Sequence, residues 1–242
     1  MVRVSIVATP IGNMNDITLR ALETLRNADV VLCEDTRETR KILSLHNIGT
    51  QTLSYHAHSD SAKVDHIINL LEEGKNLAVV SDAGTPGISD PGAELVARIR
   101  SYSLERVGRG LEPIHIEAIP GASALTAALS IAGVPTAPSV FFGFAPHKKG
   151  RETLWKTIMT EVVEHERTCI FYESTHRIEK ALASLALTFG EKPVTVTLVK
   201  EITKMFENVI QGTPQQVAQA LTNNPDLTRG EFVVIVSPAQ KS

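Results

Sequence analysis

Residues 79–92 form the segment best suited to bind a small molecule, because a short apolar run passes directly into a loop of small and turn-forming residues. Its glycines can adopt positive φ and let a ligand approach the backbone, while its prolines stiffen the turns. A flexible linker would not combine two prolines with two carboxylates. The segment therefore predicts a rigid ligand-binding loop, and the competing interpretation is a strand-to-helix turn without a ligand. The residues concerned are Asp82, Gly84, Pro86, Gly87, Asp90, Pro91 and Gly92.

Three other segments, residues 9–12, 34–35 and 120–123, also follow an apolar run directly. Apolar runs alternate with segments of helical periodicity through the first half of the chain, which predicts strand–helix units and a mainly parallel sheet. Ligands of such sheets bind beyond the carboxyl ends of the strands, where these segments would lie. Strands are predicted at 2–9, 30–33, 77–80 and 114–119. Five helices are predicted from the helical periodicity: one that begins near residue 18, one that ends at 45, one that ends at 74, one that begins after 92, and one that runs from 123 to 133. Residues 102–112 lose the periodicity, and residues 101–113 are therefore expected to form an unusually long, irregular connection to the next strand.

The chain has 242 residues, of which 43% are hydrophobic and 21% charged, and this predicts a soluble α/β protein of two domains. Two prolines within residues 134–138 break the pattern, so we expect an N-terminal domain over 1–135 and a smaller C-terminal domain with a mixed sheet over 136–242. Strands are predicted there at 169–172, 194–198, 206–210 and 232–236, and helices at 154–163 and 178–187. Because no signal peptide and no apolar run of about 18 residues is present, we expect a cytoplasmic protein.

Several common functional motifs are missing from the sequence. No Gly-x-Gly-x-x-Gly follows the first strand, no P-loop occurs, and residues 121–125 lack the final glycine of a nucleophile elbow. The histidines show no metal-ligand pairing, so we expect no metal, and His56 with His58 is interpreted as an exposed loop pair. Cys33 and Cys169 lie in apolar segments and are predicted to be buried, reduced thiols. The net charge of −3 provides no overall attraction to phosphate.

Four segments carry a resemblance to a known family: residues 7–13 (Val-Ala-Thr-Pro-Ile-Gly-Asn), 34–37 (Glu-Asp-Thr-Arg), 81–92, and 171–177 (Phe-Tyr-Glu-Ser-Thr-His-Arg). They resemble the signatures of the ribosomal RNA small subunit methyltransferase I family, and more broadly those of the tetrapyrrole methylases. The resemblance runs nearly end to end and includes residues 143–144, 200–204 and 230–231. It implies a homodimeric, S-adenosylmethionine-dependent enzyme of the two-domain class III fold. The expected reaction is 2′-O-methylation of a cytidine ribose in the decoding region of 16S rRNA, with the rRNA or the 30S subunit as partner.

The resemblance also implies where the cofactor binds. The N-terminal domain would supply one wall of the cofactor cleft together with the catalytic loop, and the C-terminal domain would close the cleft. Physical reasoning agrees for several positions, since a glycine admits close approach, a serine at a helix N-terminus can bind a polar group, and a tyrosine offers a flat face. The expected cofactor residues are Pro10, Ile11, Gly84, Thr85, Pro86, Ile88, Ser123, Ala124 and Tyr172.

Methyl transfer to an alcohol is an in-line displacement that requires alignment of the reactants. A ribose hydroxyl is a poor nucleophile, so a base near it would help. The candidates are Asp35, Glu34, Glu173 and Glu201, and the base is expected near Asp35, with Arg37 holding either a carboxylate or a phosphate. The competing interpretation of residues 34–37 is a salt-bridge cluster at a helix start. Asp82 and Asp90 are expected to fix the turn of the loop.

Binding of RNA would depend on local cations, because phosphate contacts need only a few per site. Each group could equally be an ordinary solvated surface. Few aromatic residues are available for base stacking, and Phe142, Phe144 and Tyr172 are the candidates. The expected RNA-binding residues are Arg40, Lys41, Lys148, Lys149, Arg151, Arg177, Lys200 and Lys204.

Two alternatives to the rRNA methyltransferase stay open at this stage. One is a small-molecule methyltransferase of the tetrapyrrole or corrin type on the same scaffold. The other is a ribosome-assembly factor without enzymatic activity. A phosphate-binding hydrolase is disfavoured, because neither a metal-binding acidic cluster nor an activated serine is found in the sequence.

Overall fold

The computed structural model describes residues 1–56, 61–90 and 92–239, so that His58 and Pro91 lie outside the described residues. The chain divides into two compact units, residues 1–123 and 124–242. Sequence analysis set the boundary at 135/136. The difference arises because the helix that follows Ser123 packs its small apolar residues onto the sheet of the second unit.

The first unit is built around a five-stranded sheet in the order β3-β2-β4-β1-β5, and all its strand pairs are parallel. This confirms the predicted parallel sheet. All four residues of β2 are buried, as expected where helices cover both faces of a sheet. The elements are β1 (Arg3–Val7), α1 (Leu19–Asn27), β2 (Val30–Cys33), α2 (Thr36–Leu45), β3 (Gln51–Ser54), α3 (Ser61–Glu72), β4 (Leu77–Val79), α4 (Gly92–Gly108) and β5 (His115–Ile119).

Two apolar clusters fill the spaces between this sheet and its helices. Ile67 and Leu71 of α3 with Leu95 and Ile99 of α4 pack on one face. Residues of α1 and α2 pack on the opposite face. The layers are therefore helix, sheet and helix, which leaves the carboxyl ends of the strands as the edge where connecting loops gather.

The second unit contains a mixed five-stranded sheet in the order β6-β7-β10-β8-β9. β6 and β7 are parallel, whereas β7–β10, β10–β8 and β8–β9 are antiparallel pairs, which confirms the predicted mixed sheet. α6, α7 and α8 cover one face and α5 the other. The elements are α5 (Ala124–Ile131), β6 (Ser139–Phe144), α6 (Arg151–Val163), β7 (Thr168–Ser174), α7 (Ile178–Phe189), β8 (Val194–Lys200), β9 (Asn208–Gly212), α8 (Pro214–Asn223) and β10 (Glu231–Pro238).

Four elements differ from the expectations. α4 continues to Gly108, so most of residues 101–113 is helical and the predicted irregular connection is wrong. The helix is stabilised there because the Ser103 hydroxyl accepts the Ile114 N–H at 2.9 Å and Tyr102 is buried. β3, β6 and α8 were not predicted. α8 carried a signal, since Thr213 at the N-cap and Gln216 at N3 form a capping box and Pro214 lies between them at the start of the helix.

Both cysteines are buried and free, as predicted. Burial raises the pKa of Cys169 to about 12, so this thiol stays protonated. Within the described residues, no helix is long and apolar enough to cross a membrane.

We expect the second unit to be sensitive to truncation at Leu185 and insensitive at Leu187, two leucines of the same helix. Leu185 is 0% exposed in the core of α6, α7 and α8, whereas Leu187 is 86% exposed. Leu185→Ala should lower the free energy of unfolding by about 2–5 kcal/mol through lost burial and a residual cavity. Leu187→Ala should change it by no more than about 0.5 kcal/mol. Urea unfolding of both variants measures the difference, and equal losses would contradict the described orientation of α7.

Candidate cofactor and catalytic site

The loop after β1 is joined to the loop after β4 by a two-residue antiparallel bridge. Thr9 N–H donates to the Gly84 carbonyl at 2.9 Å, and Gly84 N–H donates to the Thr9 carbonyl at 3.1 Å. The buried Thr9 hydroxyl adds a hydrogen bond of 3.2 Å to the Ser81 carbonyl. Residues of two strand ends are thereby held at a fixed separation. Sequence analysis did not single out Thr9, although it lies at the predicted strand end.

Gly84 is required at this bridge for two reasons. Its φ of 83° lies in the left-handed region, and a Cβ atom there would lie 3.1 Å from Ile11 Cγ2 and 3.7 Å from the Ala122 carbonyl oxygen. The Thr85 hydroxyl also donates to the Ala122 carbonyl, at 3.0 Å, and ties the loop after β5 to the same group. The structure thus brings together Ile11, Gly84 and Thr85, which were predicted from separate segments.

The other predicted cofactor residues of these two loops differ in exposure. Pro10 and Pro86 are buried, whereas Ile88 is 41% exposed. Asp90 holds the turn of the loop, as predicted, whereas Asp82 bonds to a residue outside the loop. Asp90 Oδ1 accepts the N–H groups of Gly87 and Gly92, each at 2.7 Å, and Asp82 Oδ1 accepts the N–H of Asp35 at 3.0 Å. Asp82 therefore also connects the loop after β4 to the end of β2.

In the second unit, Tyr172 lies on the face of the sheet that α5 covers. It packs with the apolar cluster that includes Ala124 and Leu125, and its ring meets those of Phe141 and Phe144 edge-to-face at centroid distances of 5.0 and 5.3 Å. Burial raises the pKa of the Tyr172 hydroxyl. The structure thus brings together Ala124 and Tyr172. Ser123 is the last residue of the first unit.

Asp35 caps the N-terminus of α2 and is paired with Arg37. Its Oδ1 accepts the Arg37 backbone N–H at 2.8 Å, and its Oδ2 accepts Arg37 Nη2 at 2.6 Å. The hydrogen bonds from the Arg37 side chain and backbone lower the pKa of Asp35 to about 2. These contacts favour the helix-start salt bridge over a base at Asp35, because a carboxylate with so low a pKa accepts protons poorly.

Glu34 has the opposite electrostatic environment. Burial is the largest effect that raises the pKa of its carboxyl group, followed by repulsion from Asp82 and Asp90. Its side chain lines a small cavity with Tyr55 and Pro86, next to the loop after β4. Of Glu34, Asp35 and Glu201, Glu34 is the one whose surroundings increase its affinity for a proton.

Glu173 and Glu201 are both engaged in contacts within the second unit. The Glu173 side chain is fully buried and forms ion pairs of 2.8 Å with Arg151 and with Arg177. Glu201 Oε1 accepts Lys204 Nζ at 2.9 Å and the Glu231 N–H at 2.8 Å. Burial alone would raise the pKa of Glu201, but these two hydrogen bonds lower it. Neither carboxylate is arranged as a general base.

The predicted RNA-binding cations fall into two groups. Lys148 and Lys149 are exposed and form no ion pair within the described residues. Arg40 is also exposed, although its Nε donates to the Thr52 hydroxyl at 3.2 Å. The others are engaged or buried: Lys41 pairs with Glu38, Lys204 with Glu201 and Glu231, Arg151 and Arg177 with Glu173, and Lys200 is 8% exposed. In the described parts of the chain no group of three His, Cys, Asp or Glu side chains could hold a metal ion.

The comparison with protein families matches residues 3–218 to the model of the tetrapyrrole (corrin/porphyrin) methylases. This covers most of both units. The chain belongs to the tetrapyrrole methylase family. A solved methylase structure, the methyltransferase CobJ, covers 100% of this chain and 97% of its own at a TM-score of 0.67 and 18% identity, and so supports the fold. A uroporphyrin-III C-methyltransferase from Thermus thermophilus, solved in complex with S-adenosylhomocysteine, aligns at a TM-score of 0.61 and 17% identity over 97% of each chain.

Within the tetrapyrrole methylases, this chain is also similar to a narrower group. It is 41% identical over 234 residues to a protein of Xylella fastidiosa named ribosomal RNA small subunit methyltransferase I, covering 97% of this chain and 81% of that protein. The chain therefore belongs to the ribosomal RNA small subunit methyltransferase I family. The resemblance drawn from four short segments is confirmed.

Proposed function

We propose that this protein is an S-adenosylmethionine-dependent methyltransferase that acts on small-subunit rRNA. The observation that carries the proposal is the 41% identity over nearly the whole chain to a relative named for that activity. Fold likeness alone would not separate an rRNA enzyme from a corrin or porphyrin methylase, because one scaffold hosts several substrates. As in the resemblance, we propose a homodimer that works in the cytoplasm on rRNA or on the assembled 30S subunit.

The first unit's loops fit the proposed cofactor. The bridge between Thr9 and Gly84 holds the loops after β1 and β4 together. Because Gly84 has no side chain, Ile11 keeps its position beside it, and Ile88 of the same loop as Gly84 is partly exposed to a ligand. In the second unit, Ala124 and the aromatic face of Tyr172 are the candidates for contact with the cofactor. When bound, S-adenosylmethionine supplies an electrophilic methyl group. The residues contribute by orientation, since an in-line displacement depends on alignment of the reacting atoms.

The acceptor is proposed to be the 2′-hydroxyl of a cytidine ribose in the decoding region. For such a hydroxyl we propose Glu34 as the general base, because its raised pKa suits it to accept a proton and its side chain forms no hydrogen bond within the described residues. Asp35 and Arg37 would then shape the start of α2, and Asp82 would join them to the loop after β4. Lys148 and Lys149 are proposed to bind phosphate groups of the rRNA.

The activity is tested with 30S subunits and with free 16S rRNA from cells that lack this methylation. Incubation with the purified protein and methyl-labelled S-adenosylmethionine should label the rRNA, and mapping of the modified nucleotide should find a 2′-O-methylcytidine in the decoding region. Label that is transferred instead to a tetrapyrrole would favour the small-molecule alternative. Absence of both transfer and cofactor binding would contradict the enzymatic proposal.

Gly84→Ala should weaken cofactor binding much more than Gly74→Ala does. Both glycines have a φ of 83°, so both variants carry the same kind of backbone strain, on the order of 1–2 kcal/mol. A Cβ at Gly84 would press on Ile11, whereas nothing lies within 4 Å of a Cβ at Gly74. Titration calorimetry with S-adenosylmethionine measures both dissociation constants. Equal constants in the two variants would exclude the Gly84 surface from the binding site.

Glu34→Gln should lower kcat by about 10²-fold or more, the usual contribution of a general base, with little change in cofactor affinity. In the unsubstituted enzyme, activity should fall as the pH decreases through the Glu34 pKa, which lies above its ordinary value of 4.5, because protonation removes the base. Asp35→Asn is the matched control, since asparagine can still cap α2. A larger loss of kcat in Asp35→Asn than in Glu34→Gln would assign the base to Asp35 instead.

A further inference from the structure

One side chain in the second unit organises two positive charges below the protein surface. Glu173, near the end of β7, has a side chain that is 0% exposed, and its Oε2 accepts Arg151 Nη2 at 2.8 Å. Its Oε1 accepts the Ser174 N–H at 2.9 Å and forms an ion pair with Arg177, whose Nε lies 2.8 Å away and donates its hydrogen to the Ser174 hydroxyl. The side chains of Arg151 and Arg177 are themselves only 14% and 16% exposed. One carboxylate therefore forms ion pairs with two largely buried guanidinium groups and accepts a hydrogen bond from Arg151.

The same two arginines hold the connection between β6 and α6. Arg177 Nη1 donates to the Ala145 carbonyl at 2.9 Å, and Arg151 Nη1 donates to the Pro146 carbonyl at 3.0 Å. This connection, residues 145–150, is called the basic loop below. Its N-terminal end is buried at Ala145, whereas His147, Lys148 and Lys149 are exposed. The loop is thus fixed at its base and displays its cations to solvent.

Arginine suits this role because its planar fork can bond a carboxylate and a backbone carbonyl at once. Two guanidinium groups so close together repel each other in surroundings of low dielectric, and the carboxylate between them offsets that repulsion. Without the negative charge, the arginines would be driven towards solvent and would leave the carbonyls of Ala145 and Pro146. The conformation of the basic loop therefore depends on a residue that the loop does not contain.

We propose that Glu173 is a positioning residue for substrate binding: through Arg151 and Arg177 it holds the basic loop so that Lys148 and Lys149 contact the phosphate backbone of the RNA substrate. The inference rests on the proposed function, and it assigns Arg151 and Arg177 an indirect role in place of direct RNA contact. Lys148 and Lys149 suit a polyanion, because their charges are exposed and form no ion pair within the residues that the structure describes.

The anchoring is tested first without RNA, by hydrogen–deuterium exchange of the full chain. Glu173→Gln keeps the side-chain size but removes the charge, and it should speed exchange in a peptide that covers residues 145–150. Peptides from α4 in the first unit should not change. Glu179→Gln, an exposed glutamate on α7, is the matched control. Unchanged exchange of the basic loop in Glu173→Gln would overturn the proposal.

Arg151→Lys is the second variant, for use if Glu173→Gln does not fold. It keeps a positive charge beside Glu173 but lacks the fork that reaches the Pro146 carbonyl. The loop peptide should again exchange faster, while peptides from β7 and β10 keep their protection. Faster exchange throughout the second unit would mean that the arginine stabilises the core and does not act on the loop.

The functional consequence is measured on the same variants with 30S subunits. Glu173→Gln should raise the KM for subunits by about 10-fold, because the phosphate contacts of Lys148 and Lys149 would be weakened. kcat at saturation and the dissociation constant of S-adenosylmethionine should stay unchanged. An unaltered KM, or a loss confined to kcat, would overturn the positioning role.

A double-mutant cycle then asks whether Glu173 acts through the two lysines. Lys148→Ala/Lys149→Ala should raise the same KM and lower the slope of log K against log salt by about 2, one unit for each phosphate contact. Lys156→Ala/Lys192→Ala, two exposed lysines elsewhere in this unit, is the matched control. Adding Glu173→Gln to the first pair should cause little further loss. Full additivity of the changes in KM would overturn the proposal. Absence of methyl transfer by the unsubstituted protein would instead contradict the proposed function, and the hydrogen–deuterium exchange result would then decide whether Glu173 anchors the basic loop.

Discussion

The bridge between Thr9 and Gly84 is the contact on which the candidate site of the first unit depends. A parallel sheet brings the carboxyl ends of its strands to one edge, but the loops that leave those ends are free to diverge. Two backbone hydrogen bonds hold the loops after β1 and β4 together, and the Thr85 hydroxyl adds the loop after β5. Since backbone groups make the bridge, most side chains would preserve it. Gly84 is the exception, because its φ lies in the left-handed region and a Cβ there would make a tight contact of 3.1 Å with the Ile11 side chain.

Carboxylates in this protein serve mainly as structural acceptors of hydrogen bonds. Asp90 fixes the turn around Gly87 and Gly92, Asp35 caps α2, and Glu173 joins two arginines. At Asp35 the hydrogen bonds from Arg37 lower the pKa of the carboxyl group. Glu34 differs because burial and two neighbouring negative charges raise its pKa. Whether a carboxylate stabilises the structure or is proposed as a base thus depends on the number of hydrogen-bond donors around it.

Much of the architecture could be predicted because apolar pattern and turn chemistry are local properties. The run Val30–Cys33 predicted a buried strand and is one, with the same bounds. The end of α4 could not be predicted, since Tyr102 and Ser103 are held in the helix by Glu72 and by Ile114, which are distant in sequence. β3 was missed because its sequence, Gln-Thr-Leu-Ser, is largely polar, and its pairing with β2 comes from the sheet.

The sequence by itself determined the α/β class, the family and the segments of the candidate site, because motifs of turn-forming residues depend on local backbone conformation. Only the tertiary structure decided what the charged residues in those segments do. Asp35 and Glu34 are neighbours in the chain, yet the pKa of one is lowered and that of the other is raised. The pKa of an ionisable group depends on the hydrogen-bond donors, charges and solvent within a few ångströms of it. Folding brings these neighbours together from distant parts of the sequence. For that reason Arg151 and Arg177, which the sequence presents as surface cations, are found beneath the surface around Glu173.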